Sequence, residues 1–164
     1  ADILISNTPY HISSKLLFKI ALGSLKKSLM TFQREYAHRL LARPGSRDYG
    51  RLTVAASMFY EVSILGEYPP TSFFPRPEVY TSLVRLAKKR VHMPQNLLEE
   101  TLKLARVLFS QRNRLVKTPL IKYLRAKKLS TSIEDYNISS DILSKRVYQL
   151  SPDEIVEIAR RILQ

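Results

Sequence analysis

The chain opens with a short apolar run that stops abruptly, and this feature restricts the fold more than any other. Residues 3–6 read Ile-Leu-Ile-Ser, and residues 7–10 read Asn-Thr-Pro-Tyr. A brief apolar run that ends at a proline-containing turn is typical of a strand buried in a parallel sheet. A helical pattern follows, with Ser13 or Ser14 placed to cap it. Strand, turn and helix in this order predict an α/β domain that begins with a buried parallel strand at 2–6.

The alternation of strands and helices continues to about residue 88. Pro44-Gly45 ends one helical segment, and the two prolines of Pro75-x-Pro77 cannot lie inside a central strand, so they mark an extended loop. The last two predicted strands should form an antiparallel pair. The pattern predicts strands at 28–33, 61–67 and 80–87 and helices at 34–42 and 51–59.

Residues 88–94 mark a linker, and the pattern beyond them is purely helical. Ser151-Pro152-Asp153-Glu154 is a strong helix start, with serine at the cap, proline at the first position and two acids in the first turn. The chain should therefore divide into an α/β part at 1–88 and a small all-α part at 94–164. Helices are expected at 97–108, at 119–127 as a second helix or a continuation after a break at Thr118-Pro119, from Ser140 or Asp141 to Val147, and from 152 to about 163.

The charge is strongly positive and unevenly distributed. The net charge is +13, and the segment from Lys103 to Lys128 contains nine cations and no acid. A cationic run can be a solvated helix face, but the lack of compensating acids favours contact with phosphate. No apolar run approaches the roughly 18 residues that a membrane span needs, so no membrane association is expected.

Cysteine and histidine limit the remaining chemistry. The chain has no cysteine, which excludes disulfides, a thiol nucleophile and Cys-based metal sites and favours a cytoplasmic location. His11, His38 and His92 lack the spacing of metal ligands, so no metal is expected.

Four further motifs follow the opening tetrapeptide. The motifs are Phe-Gln-Arg-Glu at 32–35, Pro-Gly-Ser-Arg-Asp-Tyr-Gly-Arg-Leu at 44–52, Pro-Pro-Thr-Ser-Phe-Phe-Pro-Arg-Pro-Glu-Val at 69–79 and Phe-Ser-Gln-Arg at 109–112. The two longest strings are the most specific, whereas an Asn-x-Pro turn after a strand is often only a turn. In this order and spacing, the motifs closely resemble those of the ribosomal RNA adenine N6,N6-dimethyltransferases, which share a fold with the Erm resistance methylases. The resemblance runs from residue 1 to about residue 125.

The resemblance implies a fold and a reaction. The fold would be the C-terminal half of a Rossmann-like class I methyltransferase sheet, followed by a small all-α RNA-binding domain. The reaction would be two methyl transfers from S-adenosylmethionine to each of two adjacent adenosines near the 3′ end of small-subunit ribosomal RNA, in the pre-ribosomal small subunit. The alternatives are Erm-type methylation of large-subunit RNA and a non-catalytic RNA-binding or ribosome-assembly module.

The resemblance also assigns roles at the target base. The Asn7 side chain and the Thr8 carbonyl would accept hydrogen bonds from the adenine N6 amine, and Pro9 would fix the turn that aims both. Tyr10 and Phe73 would sandwich the base, with Phe74 as the alternative partner, although these phenylalanines could instead fill the core. Asn7 would also border the cofactor, and no general base is needed because the amine can lose its proton to solvent.

Other roles concern the strand end and the RNA. Gln33 and Glu35 are expected to organise a strand end rather than to take part in chemistry. Asp48 and Arg51 could form a structural ion pair instead of serving the RNA. The residues expected to contact RNA are Arg47, Arg51, Gln111, Arg112, Arg114 and Lys117.

The chain contains no counterpart of the family's methyl-donor motif. That motif is a Gly-rich turn and an acidic residue ahead of the Asn-x-Pro-Tyr strand, whereas the four glycines here form no G-x-G pair. We therefore expect the chain to be the C-terminal part of a longer enzyme and to be inactive alone. Its strand at 2–6 would then present an unpaired edge that invites self-association.

Overall fold

A computed structural model describes residues 2–90 and 93–164, and the chain forms two compact units. One unit comprises residues 1–41 and 56–91, and the other comprises 42–55 and 92–164. The sequence predicted a single boundary at residues 88–94. In the structure, residues 42–55 also belong to the helical unit. There, the Tyr49 hydroxyl donates to the Leu150 carbonyl over 2.7 Å. His92, part of the predicted linker, lies outside the described residues.

The first unit contains a four-stranded sheet in the order β1-β2-β4-β3. β1 (Ile3–Ser6) pairs in parallel with β2 (Lys27–Gln33), while β4 (Thr81–Lys88) is antiparallel to both β2 and β3 (Tyr60–Tyr68). All four predicted strands are therefore present, and the predicted antiparallel pairing of the last two is confirmed.

Helices α1 (Ser13–Leu22) and α2 (Arg34–Leu40) belong to this unit, and the boundary between the units falls within α3 (Arg51–Phe59). α1 connects the parallel strands β1 and β2, as a crossover helix does in a βαβ unit. The predicted serine cap is wrong, because a 3-10 turn at Tyr10–Ile12 runs directly into α1 and places Ser13 within the helix. Buried core residues of the unit are Leu17, Ile20, Met30, Phe32, Val84 and Leu86.

The expectation that β1 is buried is also wrong. Ile3 is 59% exposed and Ile5 is 76% exposed. β1 lies at the edge of the sheet and has a paired neighbour, β2, on one side only within the described chain. Its apolar face and unpaired backbone edge are therefore open to solvent.

The second unit is helical. It consists of α4 (Gln95–Phe109), α5 (Lys117–Ala126), α6 (Ser140–Ser144) and α7 (Pro152–Ile162), with 3-10 turns at Ile133–Tyr136 and Val147–Gln149. α5 does not start after Pro119 but includes it in its first turn, where a missing N–H costs no intrahelical bond. Fully buried residues of this core include Leu104, Leu108, Leu120, Leu124, Ile155 and Ile158.

The start of α7 is the predicted capping box. Ser151 Oγ accepts from the Glu154 N–H at 3.1 Å, and Glu154 Oε2 accepts from the Ser151 N–H at 2.8 Å. Lys145 Nζ donates to the Glu154 carboxylate over 2.6 Å. Burial alone would raise the pKa of Glu154, but the hydrogen bonds from Lys145 and Ser151 outweigh it and hold the pKa below its usual 4.5.

This lowered pKa predicts a loss of stability in acid. Because the folded-state pKa lies below the unfolded value, Glu154 stabilises the fold above about pH 4.5, and that contribution is lost as the pH falls through the folded pKa. Glu154→Gln should lower the free energy of unfolding by about 1 kcal/mol at neutral pH and flatten its acid dependence. Urea unfolding at a series of pH values measures both, and parallel wild-type and variant curves would contradict the prediction.

None of the helices in the described residues has the length and apolar character to cross a membrane.

Candidate functional site

An open pocket of about 260 Å³ lies beyond the carboxyl end of β1. In sheets of this type, ligands characteristically bind outside the carboxyl ends of parallel strands. Two motifs that are far apart in the sequence meet here, one from the loop after β1 and one from the loop between β3 and β4. The pocket is lined by Asn7, Thr8, Pro9, Tyr10, Phe73, Phe74, Pro75 and Pro77.

The Asn7 side chain is held by a threonine that the sequence analysis missed. Thr31 Oγ1 donates to Asn7 Oδ1 at 2.6 Å and accepts from the Thr8 N–H at 3.0 Å. Thr8 itself is buried, at 3% exposure. The in-register parallel pairing of Ser6 with Met30 brings Thr31 beside the residues that follow β1. A register prediction for the first two strands could have identified it.

Tyr10 is held in a similar way. Its hydroxyl forms a short hydrogen bond with Thr81 Oγ1 at the start of β4. Thr81 is only 1% exposed, whereas the Tyr10 residue is half-buried and borders the pocket. The buried end of the tyrosine is therefore fixed, and its ring forms part of the pocket wall.

The two phenylalanines are not core residues. Phe74 is completely exposed, and Phe73 is half-buried. The core-filling interpretation is therefore wrong for Phe74. An exposed aromatic ring at the rim of a pocket is well suited to stacking on a flat ligand.

A second groove, of about 340 Å³, lies where β2 ends and β4 begins. The Arg34 N–H donates to the Tyr80 carbonyl at 2.9 Å, and the Arg34 guanidinium carbon lies 4.8 Å from the centre of the Tyr80 ring. These contacts join the two strand ends. Gln33 and Glu35 line the same groove and not the pocket that contains Asn7, and their role in organising the strand end stays a prediction.

In the second unit, the Arg112 side chain forms hydrogen bonds within the protein that the sequence did not predict. Its Nη1 donates to the Arg47 carbonyl at 2.7 Å, and its Nη2 donates to the Ser46 carbonyl at 3.2 Å. The guanidinium also lies 5.8 Å from the centre of the Tyr148 ring. Arg112 therefore holds the loop before α3 against the helical core.

We expect Arg112→Lys to destabilise the protein almost as much as Arg112→Ala, by about 1–3 kcal/mol. A lysine ammonium does not reproduce the planar fork that serves two carbonyl groups at once. Thermal or urea unfolding of the two variants measures the effect. Arg114→Ala, in an exposed residue with no ion pair in the described chain, is the control and should be near neutral. Equal stabilities of all three variants would contradict the structural role.

The other predicted RNA contacts differ in their surroundings. Arg47, Arg51 and Arg114 are exposed and pair with no described carboxylate, and the proposed Asp48–Arg51 ion pair does not form. Lys117 is exposed but close enough to Glu134 for the charges to interact, and Gln111 is half-buried.

The cationic run is partly compensated, contrary to expectation. Lys127 Nζ lies 2.6 Å from the buried carboxylate of Glu100, and Lys103 Nζ lies 3.9 Å from Glu99. Both acids precede the run along the same helix, α4. Tyr123 also donates to Glu100, at 2.9 Å. Counting charges between Lys103 and Lys128 did not reveal these pairs, because the acids lie outside that segment in the sequence but next to its lysines in space.

The chain resembles proteins of known family. The sequence model described as "Ribosomal RNA adenine dimethylase" matches residues 3–163. The "Probable ribosomal RNA small subunit methyltransferase A" of Pyrobaculum aerophilum is 44% identical over 161 residues, which are 98% of this chain and 61% of the relative. A protein of the same description from Methanosphaera stadtmanae is 33% identical over 96% of this chain and 58% of the relative.

Solved structures support the fold. A dimethyladenosine transferase from Plasmodium falciparum aligns with a TM-score of 0.82 at 24% identity, covering 96% of this chain and 65% of that protein. The 23S rRNA methyltransferase ErmE aligns with a TM-score of 0.64 at 19% identity, covering 99% of this chain and 65% of that protein. The chain thus has a mixed α/β methyltransferase fold and corresponds to the C-terminal part, about 60%, of its sequence relatives. Because the family match spans residues 3–163, the chain belongs to the ribosomal RNA adenine dimethylase family.

Proposed function

We propose that this chain forms the target-base and RNA-binding part of an enzyme that dimethylates two adjacent adenosines near the 3′ end of small-subunit ribosomal RNA. The observation that carries the proposal is the pocket in which Asn7 lies among Tyr10, Phe73 and Phe74. The small-subunit substrate is supported by the descriptions of the relatives that are 33–44% identical. The enzyme would act in ribosome biogenesis, in the cytoplasm.

The pocket suits the chemistry of an adenine amine. The N6 lone pair is delocalised into the ring, so the amine becomes a better nucleophile when hydrogen-bond acceptors favour a pyramidal nitrogen. Asn7 Oδ1 and the Thr8 carbonyl would supply the acceptors. Tyr10 and one of the two phenylalanines would stack on a base taken out of its helix. The methylated amine would lose its proton to solvent, so no residue of the pocket acts as a general base.

S-adenosylmethionine would supply the electrophilic methyl group. Of the residues described, Asn7 is the one that we assign to the border of its site. The glycines of this chain form no G-x-G turn that would cradle the donor. The relatives extend well beyond the matched region. We therefore propose that most of the donor site belongs to a segment outside these 164 residues.

This assignment predicts that the 164-residue chain does not bind S-adenosylmethionine by itself. Titration calorimetry should give no saturable heat, because the chain supplies the target-base side of the site and little of the donor side. A full-length protein with an N-terminal segment like that of its relatives is the matched control and should bind. Saturable binding by the chain alone would contradict the prediction.

The RNA partner would contact the second unit. Its exposed cations Arg47, Arg51 and Arg114 lack carboxylate partners in the described chain, which favours phosphate binding. These same cations favour the alternative of a non-catalytic RNA-binding or assembly module, because they lie in a unit that does not contain the pocket. Gln111, Arg112 and Lys117, the other predicted contacts in this unit, would add to RNA binding.

The decisive experiment is analysis of the methylated product. A full-length protein should convert two adjacent adenosines of small-subunit RNA to N6,N6-dimethyladenosine, detected by mass spectrometry of nuclease digests. Modification of large-subunit RNA instead would favour the Erm-type alternative. Tight RNA binding without methylation of either RNA would favour the non-catalytic module.

Self-association through β1 is a separate proposal. The exposed Ile3 and Ile5 and the open strand edge support it. A monomer in gel filtration at high protein concentration would contradict it.

A further inference from the structure

Two threonine hydroxyls lie behind the pocket, and each contacts a different pocket residue. Thr31 is on β2 and bonds to Asn7, whereas Thr81 is on β4 and bonds to Tyr10. β2 and β4 are neighbouring antiparallel strands, with Gln33 opposite Thr81. Both threonines therefore lie on paired strands of one sheet, while the residues they contact lie on the loop and turn after β1.

The contact from Thr31 decides which way the Asn7 amide faces. The Thr8 N–H can only donate, so Thr31 Oγ1 accepts from it and has its single proton left for another partner. In the structure that proton is donated to Asn7 Oδ1, 2.6 Å away, and the amide oxygen is the end of the side chain that can accept it. A carbonyl-type oxygen has two lone pairs. Oδ1 therefore retains one acceptor site while its position is fixed.

The contact from Thr81 fixes the aromatic wall. The Tyr10 hydroxyl is tied to a residue that is 1% exposed, at the first position of β4. A tyrosine held at its distal oxygen cannot swing its ring out of the pocket without breaking that bond. The ring orientation is thus set before any ligand arrives, which lowers the ordering cost of binding.

We propose that Thr31 and Thr81 are positioning residues, which hold the Asn7 acceptor and the Tyr10 ring in the geometry that receives the target base. This inference rests on the proposed function for its catalytic consequence. It also makes a claim that is independent of catalysis: the target-base side of the site is pre-ordered within this chain.

The first test uses NMR on the 164-residue chain. The side-chain amide of Asn7 should be ordered in the wild type, and Thr31→Val should increase its mobility toward that of Asn137, which is exposed and whose side chain has no hydrogen bond within the described chain. Thr31→Ser, which keeps the hydroxyl, should keep the amide ordered. Equal mobility in the wild type and Thr31→Val would overturn the inference. This test does not depend on methylation, so it remains informative if the proposed function fails.

The second test uses methylation kinetics of a full-length protein. Thr31→Val should lower kcat about 10- to 100-fold, because a displaced acceptor no longer meets the amine in the transition state, with little change in KM for RNA. Thr31→Ser should recover most of the loss. Ser63→Ala, which removes a hydroxyl that accepts from Arg85 on the same sheet, is the control and should leave kcat unchanged.

The Tyr10 arm is tested by a double-mutant cycle. Tyr10→Phe keeps the ring and Thr81→Val keeps the side-chain shape, yet each removes the same hydrogen bond. The two changes should lower kcat/KM by similar factors and give no further loss when combined. If the double variant instead lost kcat/KM by the product of the two single factors, the positioning role of Thr81 would be wrong. A wild type that methylates no RNA would refute the proposed function instead, and the NMR test of Asn7 would still decide the inference.

Discussion

Replacement of Asn7 by alanine in a full-length protein should lower kcat for adenine methylation by about 100- to 1000-fold, the usual cost of removing one preorganised polar group from a transition state. The variant loses the acceptor that Thr31 holds in place. Binding of RNA should change little, because the cations proposed to hold it lie in the other unit. Single-turnover methylation and fluorescence anisotropy with the same RNA measure the two quantities separately.

The matched control is Asn96→Ala. Asn96 is also exposed but lies at the start of α4, outside the pocket, so methylation should be unaffected. If Asn7→Ala retained wild-type kcat, the proposed acceptor role would be wrong. A parallel fall in RNA affinity and kcat would instead indicate that the loop after β1 contributes to RNA docking.

Replacement of Arg47, Arg51 and Arg114 by glutamine should weaken RNA binding at least tenfold at about physiological salt. These exposed side chains pair with no described carboxylate. Each phosphate contact to a single strand contributes about 0.7 to the slope of log affinity against log salt, so three lost contacts should reduce the slope by about 2. Anisotropy titrations of the 164-residue chain across a salt series measure it.

Arg160→Gln with Arg161→Gln is the control for charge, and it removes two cations instead of three. Both arginines pair with the one carboxylate of Glu157 on α7, at 2.8 and 2.7 Å, so their charge is partly compensated locally. The control should leave the slope nearly unchanged. An equal loss in the two variants would mean that net charge alone, rather than a defined surface, attracts the RNA. Arg112 is left intact in this test because its bonds to the loop carbonyls would confound binding with folding.

Local sequence patterns were sufficient to predict most of the helices and strands. α3 begins and ends as predicted, and the Ser151 box starts α7 as predicted, because both depend on interactions within a few residues. The pattern failed where a neighbouring element took part. The 3-10 turn before α1 displaced the expected serine cap. The apolar composition of β1 indicated a buried strand, but β1 lies at the edge of the sheet, as expected from the lack of a methyl-donor motif ahead of it.

The candidate site shows the same limit. The motifs placed Asn7, Tyr10, Phe73 and Phe74 in one pocket, and the structure brings them together. No motif indicated Thr31 or Thr81, because each acts across the sheet on a residue more than 20 positions away. Arg112 is likewise a residue type that commonly contacts RNA, and nothing in the sequence indicated its structural role. Its hydrogen bonds reach carbonyl groups 65 and 66 positions away.

The sequence by itself determined the family, the order of helices and strands, and the residue types that we propose to meet the target base. These depend on local periodicity and on motifs that can be read in a line. Only the tertiary structure decided which side chains orient Asn7 and Tyr10 and which cations are compensated by acids on other turns. Those features depend on strand register and on distances between segments, and neither can be obtained from local patterns along the sequence.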